Sequence, residues 1–174
     1  MGHPTLRRVA NSYPESDIGS PEFDQLILDM RETLSAAGGI GLAAPQINIS
    51  TQIAVLEIAD SATRYGEVPT LPFSVFVNPG ITVINQESAG YWEGCLSIPG
   101  MMGFVERPQH IIVDYLDEFA KSRSMELKGF QATVFQHEFD HLNGKLYIDH
   151  ITDLGLFSYD REYYEFHQPV DAQD

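Results

Sequence analysis

The chain has 174 residues, of which 43% are apolar and 20% are charged, so its composition is that of a globular protein rather than a disordered one. Its formal net charge of -15 argues against binding to nucleic acid or to an anionic membrane, because both require a clustered basic surface. The length fits one domain over residues 1–174, whose last part, about 152–174, is an acidic tail.

The single cysteine excludes an intramolecular disulfide and favours a reducing compartment. No apolar run approaches the ~20 residues that cross a bilayer, and residues 1–4 lack the pattern of a secretory signal. We therefore expect a cytoplasmic protein, or an organellar one if a transit peptide is removed from it.

The first predicted element is an amphipathic helix over residues 21–36. Ser20 can cap its N-terminus, Pro21 suits its first turn, and apolar residues then recur at helical spacing. The pattern stops at Gly38-Gly39, which is typical of a helix C-terminus.

The middle of the chain is predicted to be rich in strands. A polar loop is predicted between the first two of them, and Asn78-Pro79-Gly80 is predicted to be a turn between the second and the third. The last two are predicted to form a hairpin. The strands are expected at residues 52–58, 74–77, 81–84, 110–116 and 124–127.

A second helix is predicted over residues 130–142, closed by Asn143-Gly144. Because strands and helices do not alternate regularly, the predicted fold class is α+β. After Ile151 the chain loses clear periodicity, and either irregular packing or partial disorder is compatible with it.

The strongest chemical signal is the HExxH motif from His137 to His141. On a helix, residues four apart share one face, so both imidazoles can bind one ion. Glu138 lies one step round the helix, close enough to act on a water at that ion without being a ligand. The alternative is a solvated helix face, but the helix is largely apolar.

Two histidines need a third protein ligand if one coordination position is to stay open for water. Asp149, His150 and His167 are downstream candidates, and Cys95 is an upstream one. A lone cysteine is usually an inert buried residue, but this one is flanked by a glycine that would let a ligand approach the backbone.

Residues 39–46, with the sequence GIGLAAPQ, combine small residues with a terminal glutamine. They match neither common phosphate-binding pattern. One interpretation is a simple connection from a helix to a strand, and the other is a site where substrate backbone passes close by.

Taken together, GIGLAAPQ (39–46), EGCLS (93–97) and QHEFDHLNG (136–144) resemble the three signature motifs of peptide deformylases. The motifs stand in the family's order, with similar spacing and a similar Asn78-Pro79 turn between them. Residues 2–7 are similar to the family's N-terminal segment, so that the resemblance covers roughly residues 2–151.

The resemblance implies a hydrolase that removes the formyl group from N-formylmethionyl nascent peptides and releases formate. The implied fold has antiparallel sheets packed around the HExxH helix. Cys95, His137 and His141 would hold one divalent metal ion, and Glu138 would carry the proton. The ion implied in the cell is Fe²⁺, whereas Zn²⁺, Ni²⁺ or Co²⁺ could be present after purification.

The resemblance also implies two donors to the tetrahedral oxyanion, the backbone N–H of Leu96 and the side-chain amide of Gln46. The peptide would bind as an added strand along backbone near Ile40, Gly41 and Gly94.

Other positions are assigned with less support from the motifs. The methionine side chain would enter an apolar pocket lined by Ile40, Phe130 and Val134, which could equally be core residues. Arg107 is similar to a family arginine and is expected to pair with Asp140.

The C-terminal tail diverges from the family, because many bacterial members end in a basic helix that docks on the ribosome. An acidic tail argues against docking through this segment, although transient contact with the ribosome stays open. The rival functions are an HExxH endopeptidase with a downstream third ligand, a non-catalytic module that binds formylated peptides, and a deformylase of altered substrate preference.

Overall fold

The computed structural model describes residues 1–58 and 70–168. Within these ranges lie the helices α1 (Pro21–Ala37), α2 (Phe130–Leu142) and α3 (Asp160–Phe166). The strands are β1 (Gly41–Ala43), β2 (Ile53–Ile58), β3 (Leu71–Val83), β4 (Ser88–Cys95), β5 (Ile98–Pro108), β6 (His110–Leu116), β7 (Ser122–Lys128) and β8 (Phe157–Tyr159). Short 3-10 helices cover Pro4–Arg7, Glu15–Asp17, Ala44–Ile47, Tyr147–His150 and Leu154–Leu156. None of the helices in the described part of the chain has the length and apolarity that a membrane crossing requires.

The strands form two antiparallel sheets. The larger sheet has the order β1-β2-β3-β6-β7, and the smaller one has the order β4-β5-β8. This arrangement confirms the α+β prediction. Both β1 and β4 stand at the end of their sheet's order, which matters for the cleft between them. That residues 1–174 form one domain stays a prediction.

Helix α1 covers one face of the larger sheet. The Ser20 hydroxyl accepts a hydrogen bond from the Phe23 backbone N–H at 3.2 Å, and Gly38 ends the helix at φ 64°. The helix prediction is therefore confirmed and is one residue longer at its end. Its buried side chains pack on alternate residues of β2 and β3; the cluster includes Phe23, Met30, Leu34, Ile53, Val55 and Val77.

Helix α2 covers the opposite face of the same sheet and has the predicted bounds. Because successive side chains of a strand point to opposite faces, Ala54, Leu56 and Phe76 contact α2 while their neighbours contact α1. The rings of Phe76 and Phe135 meet edge to face with their centroids 5.1 Å apart. Each such buried side chain contributes about 1.5–3 kcal/mol to folding, so α2 is firmly held.

The predicted turn at residues 78–80 is wrong. The two strands expected on either side of it are one strand, β3, which is interrupted by a register shift between Val77 and Gly80. Asn78 adopts φ 51°, and its side-chain amide pairs with the backbone N–H and carbonyl of Tyr13 at 2.7 and 2.8 Å. The bulge accommodates Pro79, which has no N–H to donate to the sheet. The polar loop predicted before β3 falls largely on residues 59–69, outside the described residues.

Strands β4 and β5 were not predicted, because the glycines and prolines of residues 88–108 weaken the strand pattern. The glycines are required by close packing across the pair. A Cβ on Gly90 would collide with the ring of Phe104, and one on Gly103 would lie 2.6 Å from the Ile151 side chain.

The tail after Ile151 is folded up to residue 168, and residues 169–174 lie outside the described residues. Strand β8 pairs with β5, and α3 follows it directly. The Trp92 ring lies 5.0 Å from Tyr163 and 4.8 Å from His167, centroid to centroid. Of the two possibilities that the sequence left open, packing is the one observed for these residues.

We predict that Gly144→Ala destabilises the protein more than Gly38→Ala. Both glycines have positive φ, at 69° and 64°, but only at Gly144 would a Cβ meet backbone, 2.8 Å from the Arg7 carbonyl carbon. Gly38→Ala should cost about 1 kcal/mol of unfolding free energy, and Gly144→Ala at least about 1 kcal/mol more. Urea unfolding of the two variants measures this difference. Equal losses would show that the contact with Arg7 is not restrictive.

Candidate active site

A cleft of about 360 Å³ opens between the two sheets. Its walls come from the segment before β1, from the β4–β5 hairpin, from α2 and from α3. The lining includes every residue predicted from the resemblance as a ligand, catalytic group or substrate contact except His141, whose Nε2 lies 3.3 Å from Cys95 Sγ.

Three potential ligands meet in this cleft. His137 and His141 are one turn apart on α2, and Cys95 is the last residue of β4. One ligand atom from each residue lies within 4.8 Å of the other two, and Cys95 Sγ is 3.3 Å from His141 Nε2. The three side chains therefore form a group able to bind a metal ion.

The protonation of His141 fits this use. Burial, followed by repulsion from His137, lowers the pKa of His141 to about 3, so the imidazole is neutral and has a lone pair to donate. Its Nδ1 atom is buried and has no hydrogen-bond partner among the described residues. One sulfur and two nitrogens are a donor set that zinc and other divalent transition metals accept.

His137 is oriented by two neighbours. Its Nδ1 lies 2.7 Å from Glu93 Oε2, which leaves Nε2 to face the cleft. Its ring stacks on Tyr147 at 18°, with the centroids 6.1 Å apart. Burial lowers the pKa of His137, but hydrogen bonds to Cys95 and Glu93 raise it well above its ordinary value overall. Metal binding would therefore release a proton from this group.

Behind His137 lies a buried ionic network centred on Arg107. Arg107 Nε and Nη2 donate to the two Glu93 carboxylate oxygens at 2.6 and 3.0 Å, and Nη1 donates to Asp140 at 2.8 Å. The predicted Arg107–Asp140 pair is thus confirmed. Asp140 is also 2.8 Å from His150 Nε2. Burial raises the pKa of Glu93, but His137 and Arg107 hold it below its ordinary value.

The downstream candidates for the third ligand are engaged elsewhere. His150 pairs with Asp140, and Asp149 pairs with Arg7 and accepts from the Leu146 backbone N–H. His167 stacks on Trp92. Of the candidates left open by the residues alone, Cys95 is the one grouped with the two histidines.

Glu138 lies in the wall of the same cleft and is 6% exposed. Burial raises the pKa of its carboxyl group to about 7, and Oε2 has no hydrogen-bond partner among the described residues. A Cβ on Gly41 would lie 2.5 Å from Oε1, so only glycine leaves room for this carboxylate.

Gln46 presents its amide to the cysteine side of the cleft. Its Nε2 lies 3.2 Å from Ser97 Oγ and 3.8 Å from Cys95 Sγ. Its Oε1 accepts a hydrogen bond from the Ala43 backbone N–H at 2.8 Å. This bond orients the amide so that its NH2 group faces the cleft. Leu96, the other predicted oxyanion donor, follows Cys95 and also lines the cleft.

The residues predicted to contact substrate are likewise brought to this cleft. Ile40, Gly41 and Gly94 line one side of it, and Phe130 and Val134 of α2 line another. Phe130 and Ile40 also contact the core between α2 and the sheet, and Val134 is part of it, so the core and the cleft share these side chains.

The polypeptide deformylase family model matches residues 1–156. The chain belongs to this family. The resemblance inferred from the three motifs is therefore confirmed, and so is the assignment as a hydrolase of this class.

Relatives and solved structures of the family cover most of the chain. A peptide deformylase of Leptospira biflexa is 41% identical over 162 residues, which are 93% of this chain and 90% of that protein. The crystal structure of a class I type b peptide deformylase from Acinetobacter baumannii, bound to Met-Ala-Ser, is 34% identical with a TM-score of 0.82 and covers 87% of this chain and 94% of its own. An actinonin complex from Synechococcus elongatus is 35% identical, has a TM-score of 0.76, and covers 87% of this chain and 76% of its own.

The role of Glu93 was not predicted from the sequence, although this residue belongs to the EGCLS motif (93–97). Glu93 and Cys95 are two apart on β4, and residues two apart on a strand point to the same face. A carboxylate on the ligand's side of a strand, with a deformylase HExxH helix opposite, is the signal that would have identified it.

We predict that Glu93→Gln weakens metal binding while the chain remains folded. The amide has one acceptor oxygen instead of two and no negative charge, so it cannot serve both His137 and Arg107 as Glu93 does. Loss of such outer partners typically reduces metal affinity about 10–100-fold. Competition with a chromophoric chelator for Zn²⁺ measures the affinity, and circular dichroism verifies the fold. Glu106→Gln is the matched control, because Glu106 is an exposed carboxylate of β5. Wild-type affinity in Glu93→Gln would contradict this role.

Proposed function

We propose that this chain hydrolyses the formamide C–N bond of N-formylmethionyl peptides, with Cys95, His137 and His141 holding one divalent ion. The observation that carries this proposal is the grouping of the three ligand atoms within 4.8 Å beside a buried carboxyl group, Glu138, in a cleft between two sheet edges. Membership of a family that removes formyl groups from nascent peptides supplies the substrate class.

A divalent ion in this group would supply Lewis acidity, which lowers the pKa of a water molecule toward neutrality and polarises a carbonyl oxygen. We propose Fe²⁺ as the ion in the cell, with Zn²⁺, Ni²⁺ or Co²⁺ as substitutes, because a thiolate and two imidazoles suit all four.

Glu138 is proposed to move the proton. A cation beside the ligands favours the carboxylate form, so Glu138 starts as a base and takes a proton from the attacking water. Burial works in the opposite direction by raising the pKa of the carboxyl group, which favours passing that proton on to the amine nitrogen as the C–N bond breaks. Formate and a free N-terminus are the products, and Glu138 returns to its carboxylate form.

Two donors are proposed to stabilise the oxyanion that develops at the formyl carbon. Gln46 Nε2 faces Cys95, and its other end is fixed by Ala43, so the amide is held in place before substrate arrives. The backbone N–H of Leu96 is the second proposed donor. A donor of this kind is typically worth about 2.7–4 kcal/mol in the barrier.

The peptide is proposed to bind extended between the two sheets. β1 and β4 stand at the ends of their sheets, so backbone near Ile40, Gly41 and Gly94 can pair with an added strand. Phe130 and Val134, with Ile40, would receive the methionine side chain. The bound Met-Ala-Ser of the Acinetobacter relative is what formyl-Met-Ala-Ser becomes when it loses its formyl group, which supports this class of substrate.

Location and partners follow as proposals from the same chemistry. A cytoplasmic enzyme suits an unpaired thiolate ligand and substrates that leave the ribosome. Its partners would be formylated nascent peptides, without direct binding of nucleic acid or membrane because the net charge is -15. Contact with the ribosome would be transient and would not use a basic C-terminal helix.

We predict that protein loaded anaerobically with Fe²⁺ releases formate from formyl-Met-Ala-Ser and that Glu138→Ala does not. Without Glu138 the proton has no acceptor, and general acid–base groups typically contribute about 10²–10⁴-fold to the rate. Metal content is measured in both proteins.

Cys95→Ser, assayed in parallel, should lose bound iron. If it kept the ion and cleaved internal peptide bonds, the chain would be an endopeptidase with another ligand. If wild-type protein with full metal occupancy released no formate, the proposed function would be wrong.

We also predict that Gly41→Ala retains the metal but loses hydrolysis. The added Cβ would displace the Glu138 carboxylate, because its three nearest atoms all belong to the Glu138 side chain, at 2.5 Å. We expect kcat to fall by at least about tenfold, since a displaced base loses most of its general-base contribution. Gly39→Ala is the control, because its Cβ would lie 3.3 and 3.2 Å from the flexible tips of Leu34 and Leu96 and an ordinary 3.6 Å from the Gly41 carbonyl oxygen, and none of these three nearest atoms belongs to Glu138. Equal rates in the two variants would disprove the constraint.

A further inference from the structure

Part of the cleft lining comes from the C-terminal segment, in a part of the chain that the family's motifs do not cover. Asp160 and Tyr164 of α3 line the same cleft as Cys95 and Glu138. The family model ends at residue 156, just before this segment. The formyl group is proposed to lie at the metal ligands and the methionine side chain against the apolar part of the lining, so the side chains of Asp160 and Tyr164 are left to contact the residues that follow.

The segment is positioned by packing. Tyr159 pairs with Met101 in the β5–β8 register, so the chain reaches Asp160 beside a hairpin that itself lines the cleft. Behind the cleft, Tyr163 is 4% exposed and its ring lies against Trp92. These contacts hold α3 at the cleft, so its two lining side chains have defined positions.

The part of the lining that comes from α3 carries a negative charge, on Asp160. Among the described residues the Asp160 carboxylate accepts one hydrogen bond, from the backbone N–H of Arg161 at 2.7 Å, and it forms no ion pair. The described lining of the cleft contains no lysine or arginine. Tyr164, which is 52% exposed, offers an aromatic ring on the same wall.

We infer that Asp160 and Tyr164 form a subsite that favours a lysine or arginine side chain at the second or third residue of the formylated peptide. A carboxylate attracts the cationic head, and an aromatic ring can bind it through its face. The inference rests on the proposed function, because the side chain is presented by a peptide whose formyl group lies at the metal ligands.

The test compares kcat/KM for formyl-Met-Ala-Lys, formyl-Met-Ala-Gln and formyl-Met-Ala-Glu, and for the same substitutions at the second residue. At low salt we expect lysine to be favoured over glutamine about two- to fivefold at one of these positions, the range of an exposed ion pair. The preference should shrink in 0.5 M salt, where the Debye length is only a few ångströms.

Asp160→Asn should abolish the lysine preference, so that the lysine and glutamine peptides have the same kcat/KM in this variant. Glu165→Gln is the matched control, since it removes the same charge from an exposed position of α3 outside the cleft lining, and it should keep the preference. Because the readout is a ratio between substrates, a general loss of stability would not imitate this result.

Equal rates on all peptides, or an unchanged preference in Asp160→Asn, would overturn the subsite and leave the deformylase proposal standing. If no formate were released from any peptide, formyl-Met-Ala-Ser included, the proposed function would fail and the subsite with it.

Discussion

The site depends on the buried guanidinium of Arg107, which is 3% exposed and joins the smaller sheet to α2. Removing such a charge from water costs several kcal/mol, and only complete pairing offsets that cost. Arg107 donates hydrogen bonds to Glu93 on β4 and to Asp140 on α2, and Glu93 also forms a hydrogen bond with His137 Nδ1. The network therefore fixes the distance between the strand that carries Cys95 and the helix that carries both histidines. Leaving such a pair half-made would cost about 3–5 kcal/mol, so no relaxed arrangement of β4 against α2 competes with the native one.

On the cleft side of this network, two buried polar atoms lack, within the described part of the chain, the hydrogen bonds that would stabilise the fold. Glu138 Oε2 and His141 Nδ1 are buried without a hydrogen-bond partner among the described residues, and such groups typically cost about 1–3 kcal/mol each. Glu138 also contacts a glycine rather than a donor, so burial raises its pKa to about 7 instead of being compensated. A hydrogen-bonded carboxylate would be more stable and a worse proton carrier. The rigid network and the unsatisfied acid are thus complementary: the first holds the geometry in which the second can be tolerated.

Local patterns predicted the two long helices well, because each has a periodic apolar face and a distinct end, Gly38 in one and Asn143-Gly144 in the other. The HExxH spacing likewise predicted two ligands from helical geometry alone. The features that local patterns did not predict depend on contacts between residues far apart in sequence. Strands β4 and β5 contain glycines that are explained only by rings and side chains across the pair, such as Phe104 against Gly90. The choice of Cys95 over the downstream candidates depended on the resemblance, since nothing near Cys95 in sequence reveals that α2 packs against it.

The acidic tail shows how composition can suggest an exclusion and leave a local contact unpredicted. Its charge argued against docking on ribosomal RNA, and that argument does not depend on where the tail lies. The structure adds that the described part of the tail reaches the cleft, whose lining includes Asp160 together with Cys95 and Glu138. A group that contacts a substrate side chain equally before and during bond breaking adds uniform binding, which lowers KM and leaves kcat unchanged. Selection of the peptide and hydrolysis of the formyl group can therefore be altered separately, the first at α3 and the second at α2.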